Sequence, residues 1–230
     1  MAGNDNYTKL LVHSIGADTS PSFSDSSGTG HGLTAVGNAQ VDTAQSKFHG
    51  SSCLLDGTGD YVETDADHAD FALGTGDFTI DFWIRHDTTV DDIGYFGSRD
   101  ASTNLFGMRI ESGTLRFKAI TGGVTIADVS AAWVPNSAQW YHLAIVRNST
   151  AFALYVDGSE HATDTDAGAL PDLGADFHIG HFETDGGTDR YTKGWIDEFR
   201  LSKGIARWTS TFTVPNRPYT KLASQAIWAV

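Results

Sequence analysis

The 230 residues carry 15 basic and 29 acidic side chains, a formal net charge of −14, so phosphate backbones repel the chain, which argues against sequence-independent nucleic-acid binding. A chain of this length can bury about 70–75% of its unfolded surface and needs no disulfide or metal to hold a core; its one cysteine, Cys53, permits no internal disulfide and reads as a small buried hydrophobe. No apolar run approaches the roughly 20 residues of a membrane span, and the opening Met-Ala-Gly-Asn-Asp-Asn lacks the basic and apolar regions of a signal peptide.

The acids are 24 Asp against 5 Glu, and with 25 Gly they punctuate the chain with turns rather than feed helices. In chain order, strands are expected near 9–15, 51–56, 60–64, 78–85, 105–111, 114–120, 139–148, 151–157, 177–182 and 194–202. Phe78, Ile80, Phe82 and Ile84 alternate with Thr79, Asp81, Trp83 and Arg85, the period of a strand with one buried face. Two hairpins are signalled, one turning at Ser112-Gly113 and one at Asn148-Ser149-Thr150. In 139–148 both alternating sets are largely apolar, so this strand is expected to be covered on both faces. Ten or more strands with tight turns and no long helix predict two stacked antiparallel sheets, with Phe78, Phe82, Leu143, Ile145, Leu154, Phe199 and Leu201 in the core.

Residues 48–62 (Phe-His-Gly-Ser-Ser-Cys-Leu-Leu-Asp-Gly-Thr-Gly-Asp-Tyr-Val) resemble the opening motif of laminin-G-like, concanavalin A-like jelly rolls. Gly76–Ile84, Trp140–Arg147, Leu154–Gly158 and Gly194–Ser202 follow in that family's order. The resemblance implies an all-β sandwich over 9–219, with an N-terminal arm at 1–8 and an apolar tail at 220–230. It does not choose among lectins, glucanases, adhesion modules and structural proteins. Asp25–Gly28, Asp42–Phe48, Gly204–Thr209, the Phe212-Thr213-Val214-Pro215 segment and Pro218-Tyr219 resemble a laminin G type 3 variant common in tailed-phage virion proteins.

Chemistry is thinly signalled. Glu63, Glu111, Glu160, Glu183 and Glu198 never pair within six residues, so the Glu-x-Asp-x-Glu strand of retaining glucanases is missing. Glu63-Thr64-Asp65, Glu183-Thr184-Asp185 and the pair Asp65/Asp67 offer only fragments of it. No Gly-x-Ser-x-Gly and no His-Glu-x-x-His occurs. His178 and His181, three apart, should fall on opposite faces of a strand, and His142, set among apolar residues, reads as a core histidine. Trp83, Trp140, Trp195 and Trp208 read as core or loop anchors. For glycan binding, aromatic platforms beside planar polar groups are wanted: Tyr95, Trp133 and Tyr191 lie in or beside expected loops, near Arg99, Asp100, Asp185 and Arg190. For Trp133 the alternative is that it folds back over a sheet edge.

Trp195, Asp197, Phe199 and Leu201 are expected on one face, which would bury the Asp197 carboxylate among apolar groups. The family resemblance implies a structural calcium ion there, shared with the N-terminal region. Relatives often read His-Phe-Asp-Gly where this chain has His13-Ser14-Ile15-Gly16, and losing that Asp weakens the site unless Asp18 or Asp25 substitutes; Asp25 is the ligand expected beside Asp197. Otherwise Asp197 pairs with an Arg or accepts from backbone amides.

The expectation is a non-enzymatic phage virion protein, made in the host cytoplasm and displayed on the capsid or tail exterior. It would contact other virion proteins through its termini, with Ile227, Trp228 and Val230 docking on this domain or a neighbouring subunit. Its lectin-like face would bind host-surface polysaccharide, and homo-oligomerisation is left open. Decoration without a glycan ligand is the first alternative and a concanavalin A-like glycoside hydrolase the second.

Overall fold

The computed structural model describes residues 4–64, 67–88 and 92–220; Asp65 and residues 221–230 of the apolar tail lie outside the described residues. The strands are β1 (Thr8–Val12), β2 (Leu33–Val36), β3 (Gln40–Asp42), β4 (Ser52–Asp56), β5 (Tyr61–Thr64), β6 (Phe78–His86), β7 (Ile93–Ala101), β8 (Asn104–Glu111) and β9 (Thr114–Thr121). They continue as β10 (Val124–Ala132), β11 (Trp140–Asn148), β12 (Ala151–Val156), β13 (Ser159–Thr165), β14 (His178–Ile179), β15 (His181–Glu183), β16 (Asp189–Tyr191) and β17 (Lys193–Lys203). No helix occurs among the described residues.

An eight-stranded sheet runs β13-β12-β11-β6-β17-β4-β3, with β1 also on β17. A seven-stranded sheet runs β10-β9-β8-β7-β14-β5-β2, and β15 and β16 form a separate hairpin. The large sheets are antiparallel and pack face to face. Phe78, Ile80, Phe82 and Ile84 point inward as their alternation requires, and each is fully buried. Phe82 stacks on Phe199 at 5.5 Å and meets Phe96 of the opposite sheet edge-on at 6.0 Å. Leu143, Ile145, Leu154 and Leu201 complete this layer.

The outer face of the eight-stranded sheet is also covered. The segment after β17 lays Ala206, Trp208 and Phe212 over Ala144, Val146 and Tyr155, and the Trp208 and Phe212 rings stack at 4.0 Å. This is why both alternating sets of β11 are apolar. Beneath the same segment lies a buried polar layer. Arg200 Nε donates to Asp81 Oδ1 at 2.9 Å, His142 Nε2 lies 3.3 Å from Asp81 Oδ2, and the Tyr219 hydroxyl donates to Asp81 Oδ2. Burial alone would raise the Asp81 carboxyl; Arg200 and His142 overcome this and hold it near 2.

Asn4 to Thr8, expected as an arm, are tied into the sandwich. Asn4 Nδ2 donates to Ser26 O at 2.6 Å, Asn4 N donates to Thr220 O at 3.1 Å, Arg207 reaches Asp5 at 2.8 Å, and Thr8 pairs with Ser202.

One strand departs from the expected alternation. A bulge between Asp197 and Arg200, with Glu198 in the left-handed region at φ 52°, reverses the parity of β17. Ile196, Phe199 and Leu201 face the core, whereas Trp195 and Asp197 lie on the opposite face. Asp197 is therefore not set among Phe199 and Leu201.

Candidate functional site

The outer face of the seven-stranded sheet is roofed in part by the β15–β16 hairpin. The chain leaves the sheet at Gly180, whose φ of 92° turns β14 into β15; a Cβ there would lie 2.4 Å from Leu55 Cδ1. The hairpin is then pinned by Phe182, whose ring lies over Gly97 and Gly107 with the Arg109 guanidinium 5.4 Å from its centroid. Ion pairs surround it: Arg99 to Glu183 at 2.7 Å, Lys118 to Asp185 at 2.6 Å, and Arg190 to Asp92 and Glu111, each at 3.0 Å.

Gly180 overturns the expected separation of His178 and His181. The turn brings the two Nδ1 atoms to 2.9 Å and the rings to 5.1 Å. Tyr61 of β5 packs against both, at 4.6 Å and 5.1 Å, and Tyr191 stacks on His181 at 4.7 Å. The result is a four-ring cluster in which only His181 is buried; Tyr61, His178 and Tyr191 keep exposed area. Glu63, Asp176 and Asp189 flank it.

The hydrogen bonds fix the proton pattern of the neutral rings. Asp189 can only accept, so His181 Nε2, 3.0 Å away, carries the hydrogen. His181 Nδ1 is then an acceptor, His178 Nδ1 donates to it, and His178 Nε2 is left with a lone pair on the side of Glu63. Burial, reinforced by His181, lowers His178 to about 4 and keeps it neutral at pH 7. Burial and the nearby Asp176 raise the Glu63 carboxyl, and burial raises the Tyr61 and Tyr191 hydroxyls. The Glu63–Asp176–His178 group can also hold a cation, its three ligand atoms lying within 4.8 Å of one another.

The residues expected to bind ligand are dispersed. Tyr95, expected near a loop, is a core residue of β7, fully buried, with its hydroxyl 2.9 Å from His86 Nε2. Trp133 folds back, edge-on to Tyr141 at 5.2 Å and packed against the core. Asp100 accepts from Gly174 N at 3.3 Å. Arg99, Asp185 and Arg190 hold the hairpin, and only Tyr191 joins the ring cluster. Tyr61, Glu63, Asp176, His178, His181 and Asp189 were not legible as a site; the one local signal was the glycine between the two histidines.

Asp25 and Asp197 do not come together in any group of three metal-ligating side chains among the described residues. Asp25 accepts from five donors: the amides of Leu11, Ser27, Gly30 and His31, and the Ser27 hydroxyl. Asp197 Oδ2 accepts the amides of Lys47 and Phe48, each at 2.9 Å, while its Oδ1 is buried without a hydrogen-bond partner. Burial, with the neighbouring Glu198 charge, raises this carboxyl to about 7 despite the opposing backbone amides of Phe48, Lys47 and Glu198.

A laminin-G family model, described as the concanavalin A-like lectin/glucanases superfamily, matches residues 56–207, well over half of the chain. The chain belongs to this superfamily. No curated protein matches it by sequence. Among solved structures, this concanavalin A-like domain is similar to the binding domain of Paraclostridial Mosquitocidal Protein 1, at 14% identity and a TM-score of 0.66, with 87% of this chain and 50% of that chain covered. It is similar to the binding domain of botulinum neurotoxin serotype C1, at 13% identity and 0.62, with 87% and 49% covered. It is also similar to domain 4 of AbnA, a GH43 extracellular arabinanase from Geobacillus stearothermophilus, solved with arabinotriose, at 17% identity and 0.63, with 87% and 95% covered. The chain thus spans about half the length of the two toxin binding domains and nearly all of the arabinanase domain. At these identities the likeness establishes the fold.

Proposed function

We propose that this domain acts by binding rather than catalysis, and that its ligand is a neutral glycan held against Tyr61, His178, His181 and Tyr191. The observation that carries this reading is the four-ring cluster with exposed tyrosine area beside three carboxylates. Sugar C–H faces pack on aromatic rings, while sugar hydroxyls donate to carboxylates. The carboxylates and the net charge of −14 disfavour anionic saccharides. The arabinotriose complex of the arabinanase domain supports the ligand class.

The setting is the exterior of a phage virion, with the termini holding the chain on capsid or tail subunits. Support comes from the likeness of residues 25–28, 42–48, 204–209, 212–215 and 218–219 to tailed-phage virion proteins. It comes also from Asn4 and Thr220, which bond each other on the side of the eight-stranded sheet. Attachment there would leave the ring cluster facing solvent.

Glycan-array screening followed by calorimetry on the best neutral hit tests the reading. Tyr61→Ala and Tyr191→Ala should each weaken binding at least tenfold, with little change in melting temperature. Undiminished binding would remove the ring cluster from the site. Reducing-end release abolished by Glu63→Gln would make the domain a hydrolase, with Glu63 and Asp176 as its carboxylates.

A further inference from the structure

We propose that His13, His49 and Glu198 bind a first-row transition-metal ion, with zinc(II) as the favoured occupant. The three residues come from the end of β1, the turn before β4 and the bulge of β17. The bulge is what brings them together. On one edge of β17, residues 193–196 pair with β4 and residues 199–202 pair with β1. Glu198 sits at the changeover, where its carboxylate meets the ends of both neighbouring strands.

His13 Nδ1 lies 2.5 Å and His49 Nε2 3.7 Å from the same oxygen, Glu198 Oε1, and the two imidazoles meet edge-on at 5.2 Å. The three ligand atoms lie within 4.8 Å of one another. Zinc bonds of about 2.0–2.1 Å in a tetrahedron place ligand atoms roughly 3.3 Å apart. Relative to Glu198 Oε1, His13 would withdraw and His49 approach by less than about 1 Å each, and no pair of ligand atoms has to close by more than about 1.5 Å, which side-chain rotation supplies.

The donor set selects the ion. Two imidazoles and one carboxylate suit zinc, copper or nickel, whereas calcium and magnesium take oxygen. Glu198 Oε2 accepts the Tyr219 amide at 2.7 Å, which orients the carboxylate and leaves Oε1 for the metal. The Glu198 side chain is 1% exposed and His49 31% exposed, so the ion would enter from the His49 side and a water would complete the tetrahedron. The His31–His68–Asp70 group is a poorer host, because Lys9 Nζ lies 3.7 Å from Asp70. Occupation would join β1, the turn before β4, β17 and, through Tyr219, the C-terminal segment at one point.

The test is thermal unfolding of the full chain after dialysis against chelator, with zinc(II), cobalt(II) or calcium(II) added singly. Zinc at a hundredfold excess over its Kd should raise the melting temperature by about 5–11 °C. Cobalt should give the intense visible bands of a tetrahedral site. His49→Ala, at a partly exposed position, should fold normally and lose both signals. No rise with zinc in the unaltered chain overturns the proposal, as does an equal rise in His49→Ala, which would put the ion elsewhere. A response to calcium alone also overturns it.

Discussion

Gly97→Ala should force aside the Phe182 ring that pins the hairpin carrying half of the ring cluster, and its effect should depend on Phe182. A Cβ at Gly97 would lie 2.2 Å and 3.0 Å from Phe182 Cδ2 and Cε2, while its nearest backbone neighbour, Phe106 O, is at 3.1 Å. The obstacle is therefore the ring, and overpacking of this kind costs about 1–3 kcal/mol. Phe182→Ala should cost about 3–5 kcal/mol, because the side chain is 1% exposed and its removal leaves a cavity over Gly97 and Gly107. The ion pairs around the hairpin are partly solvated and worth at most about 1 kcal/mol each, so they cannot replace the ring. In the Phe182→Ala background the Gly97 methyl would enter that cavity, and its cost should fall to below about 1 kcal/mol. A double-mutant cycle by urea denaturation measures this coupling, which should be favourable by about 1–2 kcal/mol. Strict additivity, or a Phe182→Ala cost under about 1 kcal/mol, would refute the wedge.

Acid should act through Asp81. Its folded-state value of about 2 lies below the ordinary carboxylate value, so its contribution of about 2 kcal/mol is complete above about pH 4 and lost as the pH falls through about 2; pH-dependent denaturation should show this loss, and Asp81→Asn should remove it. Tyr219→Phe deletes a hydroxyl that donates to the same buried carboxylate, and a loss of about 1.5–3 kcal/mol is expected by denaturation. The buried Cys53 thiol, whose ionisation burial pushes far up, should be inert to a thiol reagent in the native state and titrate fully in denaturant.

The sandwich was legible because its central strands keep strict alternation. Phe78 to Ile84 and Tyr141 to Ile145 point where the period of two sends them. β7 escaped notice because Gly94 and Gly97 interrupt its pattern, yet those glycines are required by Phe182 packed above them. β13 escaped because it is a polar edge strand whose pairing comes from β12 alone. The bulge at Glu198 inverted the reading of Asp197, since one extra residue changes the parity of everything beyond it. The ring cluster joins Tyr61 to residues more than a hundred positions away, and no local periodicity encodes such a meeting.

The order of synthesis runs against the order of the sheet. β17 is the last strand to be made among the described residues, yet it lies between β6 on one side and β1 and β4 on the other. Until Lys193–Lys203 leaves the ribosome, three strands wait with unpaired edges, and Ile80 and Leu11 wait for their partners Leu201 and Arg200. Such long-range closure is slow, and open edges invite pairing with other chains. A nascent chain halted anywhere between β6 and β17 would therefore be an aggregation hazard, and the fold becomes safe only once its closing strand has been translated.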